Sequence, residues 1–287
     1  MSFIETPDNE WAAEVWPGIL QFSEALGLPA YTAHSPPWVV VPLTLTAILD
    51  WAYVHRSDQV ADYTREHVLL YKNPPHAALN TVFPVGVRVQ GFIMRSTLGM
   101  LGNWEGTPGT AVSAAQSVAL GCGGYREPWH ATMLAFRAIE DLVQTSLSSG
   151  GFSRPGHRAS TRDVVDQELY LTRRVFEKIT TRNRGVRLSG YKTGTIHLVT
   201  ALQSATNGEL LEKFRQDDCP GDFVDVCIRF DIVAKREGKR GEMTYHVRYT
   251  IQHILLLKSA ADLEAELGAP EELRGPLVTV IEQGLSF

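Results

Sequence analysis

Val224-Asp225-Val226-Cys227-Ile228-Arg229-Phe230-Asp231-Ile232 and Met243-Thr244-Tyr245-His246-Val247-Arg248-Tyr249-Thr250-Ile251 alternate apolar and polar residues without a break. A period of two puts every apolar side chain of each run on one face, the mark of half-buried strands. Lys235-Arg236-Glu237-Gly238-Lys239-Arg240-Gly241 lies between them, a charged segment with two glycines that suits a reversal. The two runs are therefore expected to form a β-hairpin with one apolar face. No other part of the chain alternates as strictly, so the hairpin decides what the rest is measured against.

Upstream, the spacing reads as helical. Trp11, Val15, Ile19, Leu20 and Phe22 share one face of an expected helix ended by Gly27 and Pro29. Trp38 to Val54 is the most apolar stretch, but at 17 residues, with Pro42 and Asp50 inside, it is too short for a membrane span and is expected as a buried core helix. Further helices are expected over 57–71, 83–100, within 110–121, from Pro128 to Leu147, from Ser160 or Thr161 to about Arg184, and from about Thr193 to Ala205. The tail from Ala260 to Phe287 also reads as helical. The expected fold is mainly α: a helical bundle around a cofactor pocket, residues 1–215, with a small C-terminal appendage of β-hairpin plus helix, residues 216–287.

Composition narrows the function. Of the 287 residues, 44% are hydrophobic and 21% charged, enough apolar surface to fold rather than remain disordered. With 27 basic against 32 acidic residues the net charge is −5, which argues against nucleic acid as a partner. Cys122, Cys219 and Cys227 cannot all pair and form no C-x-x-C, so neither a disulfide scaffold nor a thiolate zinc site is expected. The N-terminus lacks a signal pattern, and a soluble, cytoplasmic protein is expected. Neither an H-E-x-x-H, a glycine-rich phosphate loop nor a G-x-S-x-G elbow is present.

Nine histidines remain as the abundant ligand type. His197 stands out because it sits among Ile196, Leu198 and Val199, where an imidazole is costly to bury without a partner. A hydrogen-bonded core histidine and a metal ligand both satisfy that demand, and a proximal haem ligand is one form of the second. His76 follows Pro74-Pro75 in a loop placed to line a cavity. Glu127-Pro128-Trp129-His130 has the E-x-x-H spacing of di-iron bundles, although a helix N-terminus with an acidic first turn explains Glu127 equally.

Ser113-Ala114-Ala115-Gln116-Ser117, Arg154-Pro155-Gly156-His157-Arg158 and Ile196-His197-Leu198-Val199-Thr200 follow one another at separations of 41 residues (Gln116 to His157) and 40 (His157 to His197). In order and spacing they resemble the haem-dependent aromatic oxygenase superfamily, which includes indoleamine and tryptophan dioxygenases and has haem-dependent tyrosine hydroxylases as smaller relatives. The resemblance implies an oxidoreductase with haem b as cofactor and His197 as the proximal iron ligand. Ser113 would lie near the distal pocket and Arg158 would pair with a haem propionate. Arg95, or Arg88 as its rival, would bind a substrate carboxylate, and His76 would act as a distal acid–base group. The expected partners are a small aromatic amino acid or derivative and dioxygen or peroxide, with no nucleic acid, no membrane and a possible homodimer. Two alternatives stay open: a non-haem di-iron oxygenase using Glu127 and His130, and a non-catalytic helical ligand-binding protein.

Overall fold

The computed structural model describes residues 1–21, 36, 38–56, 60–61, 64–73, 82–99, 101–148, 167–183, 186–193, 220–237 and 242–267. In chain order these form β1 (Phe3–Ile4), β2 (Val40–Val41), α1 (Leu45–Trp51), β3 (Ala52–His55), β4 (Val60–Ala61), β5 (Thr64–Tyr71), β6 (Gly86–Thr97), β7 (Ala115–Gly121) and α2 (Arg126–Ser148). They continue with β8 (Leu169–Arg174), β9 (Phe176–Asn183), β10 (Val186–Thr193), β11 (Phe223–Glu237), β12 (Glu242–Lys258) and α3 (Ala260–Leu267).

The alternating runs do form a long hairpin, β11–β12, with Phe230 opposite Tyr249 and Asp231 opposite Arg248. It is not an appendage. The first half of β11 pairs with β6 from Phe223–Phe92 to Arg229–Gly86, and its second half pairs with β5. β6 pairs antiparallel with β7, β7 with β8, and β8 returns to β12 in parallel at Thr250–Thr172. Five strands thus close a barrel in the order β6-β7-β8-β12-β11, with β5, β4 and β3 extending the sheet beyond β11.

The expectation of a mainly α bundle is corrected: the protein is mainly β, with three helices among the described residues. The physical reason lies in β6. Val85, Val87 and Val89 are buried and alternate with Gly86, Arg88 and Gln90, which is strand periodicity with β-branched side chains. A bulge between Ile93 and Arg95 then shifts the phase, so that Phe92-Ile93-Met94 reads as a continuous apolar run. The segments 57–71 and 160–184 were expected as helices, yet their described parts are strands, β4 and β5 in the first and β8 and β9 in the second. The run 110–121 is a 3₁₀ turn (Pro108–Ser113) followed by β7. Between Trp38 and Val54 only α1 is helical, started by Thr44, whose side chain accepts a bond from the Ala47 amide. The expected division near residue 215 falls outside the described residues.

α2 follows the expectation. Its first turn carries Glu127, and Trp129, Phe136, Ile139, Leu142, Val143 and Leu147 are all at most 2% exposed. Trp129, Phe136, Ile139 and Leu142 share one continuous core with Val87, Val118, Leu120, Leu171, Val226, Ile228, Phe230 and Ile251 of the barrel. Phe136 packs against Phe230 and Tyr249 with ring centroids 5.7 and 5.0 Å apart. α2 therefore packs its apolar face against one end of the barrel.

Candidate functional site

The N-terminal segment lies across the lower outer surface of β6 and β11. The Ser2 amide donates to the Gly86 carbonyl and the Arg88 amide to the Ser2 carbonyl, at 2.8 and 3.0 Å. Trp16 packs on Phe92 and Phe223. Beneath this cover Arg88 and Asp225, on adjacent strands, form an ion pair at 2.6 Å with side chains 12% and 2% exposed. Burial pushes the Asp225 carboxyl up to about 6, and Arg88 opposes the shift by charge and hydrogen bond. Gln90 also favours the ionised form, although its amide atoms make no well-formed hydrogen bond. Burial, with the Asp225 charge adding to it, raises the Cys227 thiol to about 11, so that sulfur is no nucleophile near neutral pH. A crevice of about 20 Å³ touches Gln90, Thr132, Asp225 and Trp16. It has room for one water, not for an aromatic substrate.

The remaining outer surface is different. Because Val118 and Leu120 of β7, and Leu169 and Leu171 of β8, point into the barrel, Ala115, Ser117 and Ala119 and then Tyr170, Thr172 and Arg174 point out. Cross-strand register arranges them in rows: Arg95–Ala119–Tyr170, Thr97–Ser117–Thr172–Thr250, and Ala115–Arg174. The β7 positions are all small, making a shallow floor between taller flanks. Tyr170 stands 54% exposed beside that floor, and Met94, in the β6 bulge, is 46% exposed on the other side.

Among the described residues, Arg95, Arg174, Arg229 and Arg248 lie on this outward surface, as do the carboxylates Glu168 and Asp231. Asp231 accepts from Arg229 at 3.0 and 3.2 Å and from the Thr250 hydroxyl at 2.7 Å, which holds that side in place. Arg95 pairs with Glu168 at 2.8 Å, with side chains 70% and 40% exposed.

Of the residues singled out by sequence, His76, Arg158 and His197 lie outside the described residues, as do Arg154 and His157. Ser113 ends the 3₁₀ turn, where it is exposed and donates its hydroxyl to the Thr110 carbonyl at 2.8 Å. Arg88 and Arg95 do not converge: one is buried on Asp225, the other is exposed on Glu168. Glu127 and His130 are both exposed on the first turns of α2. Among the described residues no three His, Cys, Asp or Glu side chains are grouped to hold a metal ion. The all-α fold that accompanied the haem expectation is corrected, and the candidates that lie among the described residues do not converge on one site. No helix among the described residues is long and apolar enough to cross a membrane.

Tyr170 was missed by sequence. Leu169-Tyr170-Leu171, taken as a strand, places the tyrosine opposite two buried leucines, but the helix assignment of 160–184 hid that alternation.

No protein-family model matches the chain, and no curated protein matches it in sequence. Among solved structures it is similar to the crystal structure of gp2.5, a single-stranded DNA-binding protein encoded by bacteriophage T7. The identity is 10%, with 68% of this chain and 98% of that chain covered and a TM-score of 0.35.

Proposed function

We propose that the protein binds single-stranded nucleic acid on the outer face of β7, β8 and β12. The single observation that carries this reading is the exposed Tyr170 beside a floor of small residues, on the third strand of a five-stranded barrel. Barrels with this Greek-key strand order use the face of their second and third strands, here β7 and β8, to take oligonucleotides or oligosaccharides. Arg95, 70% exposed at the edge of that floor, suits a phosphate-bearing ligand. An exposed ring gives a base a stacking partner, and the hydroxyls of Ser117 and Thr172 offer the backbone neutral donors. The net charge of −5 led to the opposite expectation because a sum over the whole chain says nothing about one face.

Fluorescence anisotropy with a labelled oligothymidine of about 20 nucleotides tests the reading. Saturable binding is expected in 50 mM salt, weakening steeply toward 200 mM as released counterions dictate. Stacking contributes about 1–3 kcal/mol per base, so Tyr170→Ala should weaken binding about 5- to 150-fold while leaving the melting temperature nearly unchanged. Absence of binding in 50 mM salt, or equal affinity in the Tyr170→Ala variant, overturns it.

A further inference from the structure

We infer that the Arg95–Glu168 ion pair is a strap across the binding face, which nucleic acid must open to reach the floor of β7. This rests on the single-strand-binding reading above and adds how that site is controlled. Arg95 is on β6 and Glu168 immediately precedes β8, the strands on either side of β7. Their side chains meet at 2.8 Å although the strands that carry them are two sheet spacings, about 10 Å, apart. The pair therefore passes over β7, where Ala119 faces Arg95 and Leu120 faces Leu169. Ala119 points outward yet is 0% exposed. Residue 121 is a glycine, and a Cβ there would stand 2.9 Å from the Met94 thioether, which shares the cover. β7 is built of small residues at the place where something lies over it.

The strap is weak by construction. Exposed ion pairs contribute little because water screens them, and these side chains are 70% and 40% exposed. Glu168 meets Arg95 through one nitrogen and one oxygen, whereas a phosphate can take the guanidinium through two. On binding, Arg95 exchanges Glu168 for a phosphate, and the uncovered strip between Met94 and Tyr170 receives a base. Glu168 is then both the competitor for Arg95 and a repelling charge beside the ligand.

Glu168→Gln, Arg95→Ala and the double variant, measured by the same anisotropy titration against salt, test the strap. Glu168→Gln should tighten binding about two- to fivefold. Arg95 meets a phosphate in both proteins, so Glu168→Gln should leave the salt slope unchanged, whereas Arg95→Ala should make it shallower by about 0.7, the increment for one phosphate contact on a single strand. In the Arg95→Ala background the same substitution should lose most of its effect, because there is no cation left to release. Weaker binding in Glu168→Gln, or a gain of equal size with and without Arg95, overturns the strap while Tyr170-dependent binding still stands. Loss of wild-type binding altogether overturns the site itself.

Discussion

Replacing Arg88 by methionine should make the contribution of Asp225 to stability depend on pH in a range where it no longer does in the wild type. The folded protein holds the Asp225 carboxyl at about 6 against an ordinary 3.8, chiefly because it is buried, and Arg88 limits the shift. A raised carboxyl favours folding while it is protonated, so this stabilisation is present below about pH 4 and is lost as pH rises to 6. At about 1.36 kcal/mol per pH unit, the loss from 3.8 to about 6 comes to about 3 kcal/mol. Above pH 6 the wild-type contribution is flat. Without the guanidinium the carboxyl pKa climbs further, and the decline continues at the same slope. Between pH 6 and 7.5 the destabilisation by Arg88→Met should therefore grow, by at most about 2 kcal/mol. At pH 7.5 it should total about 3–5 kcal/mol, the range for removing one partner of a buried pair. Urea unfolding followed by tryptophan fluorescence at pH 5, 6 and 7.5 measures this directly. His253, held below its ordinary value by burial and secondly by Arg88, also responds to the loss of that cation. The series is therefore repeated in an Asp225→Asn background, where the growth should shrink to the part owed to His253. A destabilisation equal at pH 6 and 7.5, or growth that persists undiminished once the carboxyl has been replaced by an amide, would refute the electrostatic argument.

Two further substitutions test the packing. Gly123 has φ +55°, and a Cβ there would lie 2.1 Å from the Phe92 ring, so Gly123→Ala should cost several kcal/mol, read as a large drop in melting temperature or loss of soluble protein. Phe136→Ala empties the contact between α2 and the Phe230–Tyr249 pair and should cost about 3–5 kcal/mol in urea unfolding; a cost below about 1 kcal/mol would show that α2 does not seal the barrel.

The elements legible in sequence were those whose pattern runs without interruption. β11 and β12 alternate over long stretches, and α2 keeps a helical period from Met133 through Val143, so both could be placed from residues alone. β6 was not, because its bulge joins two phases of one strand into an apolar cluster. β7 was not, because Ala115, Ala119 and Gly121 are small for reasons of cover rather than propensity. Helix propensity favours alanine wherever packing is silent, and here tertiary pairing overrode it. The site followed the same division. Arg95 was visible as a cation of interest, but its carboxylate partner is 73 residues away and its aromatic neighbour sits two strands across. Such neighbours exist only once the barrel closes.

That closure rests on a narrow join. β8 has six residues and meets β12 in parallel at one position, Thr172 beside Thr250, whereas β11 and β12 pair along nearly their whole length. Amide hydrogen exchange should be fastest along this seam and slowest where α2 backs the hairpin. The seam runs through the same face that carries Tyr170, so a strand lying from β8 to β12 would act as a staple. Occupancy would then register as protection of backbone amides on both sides of the join, and part of the binding free energy would appear as rigidity of the cylinder rather than as contact.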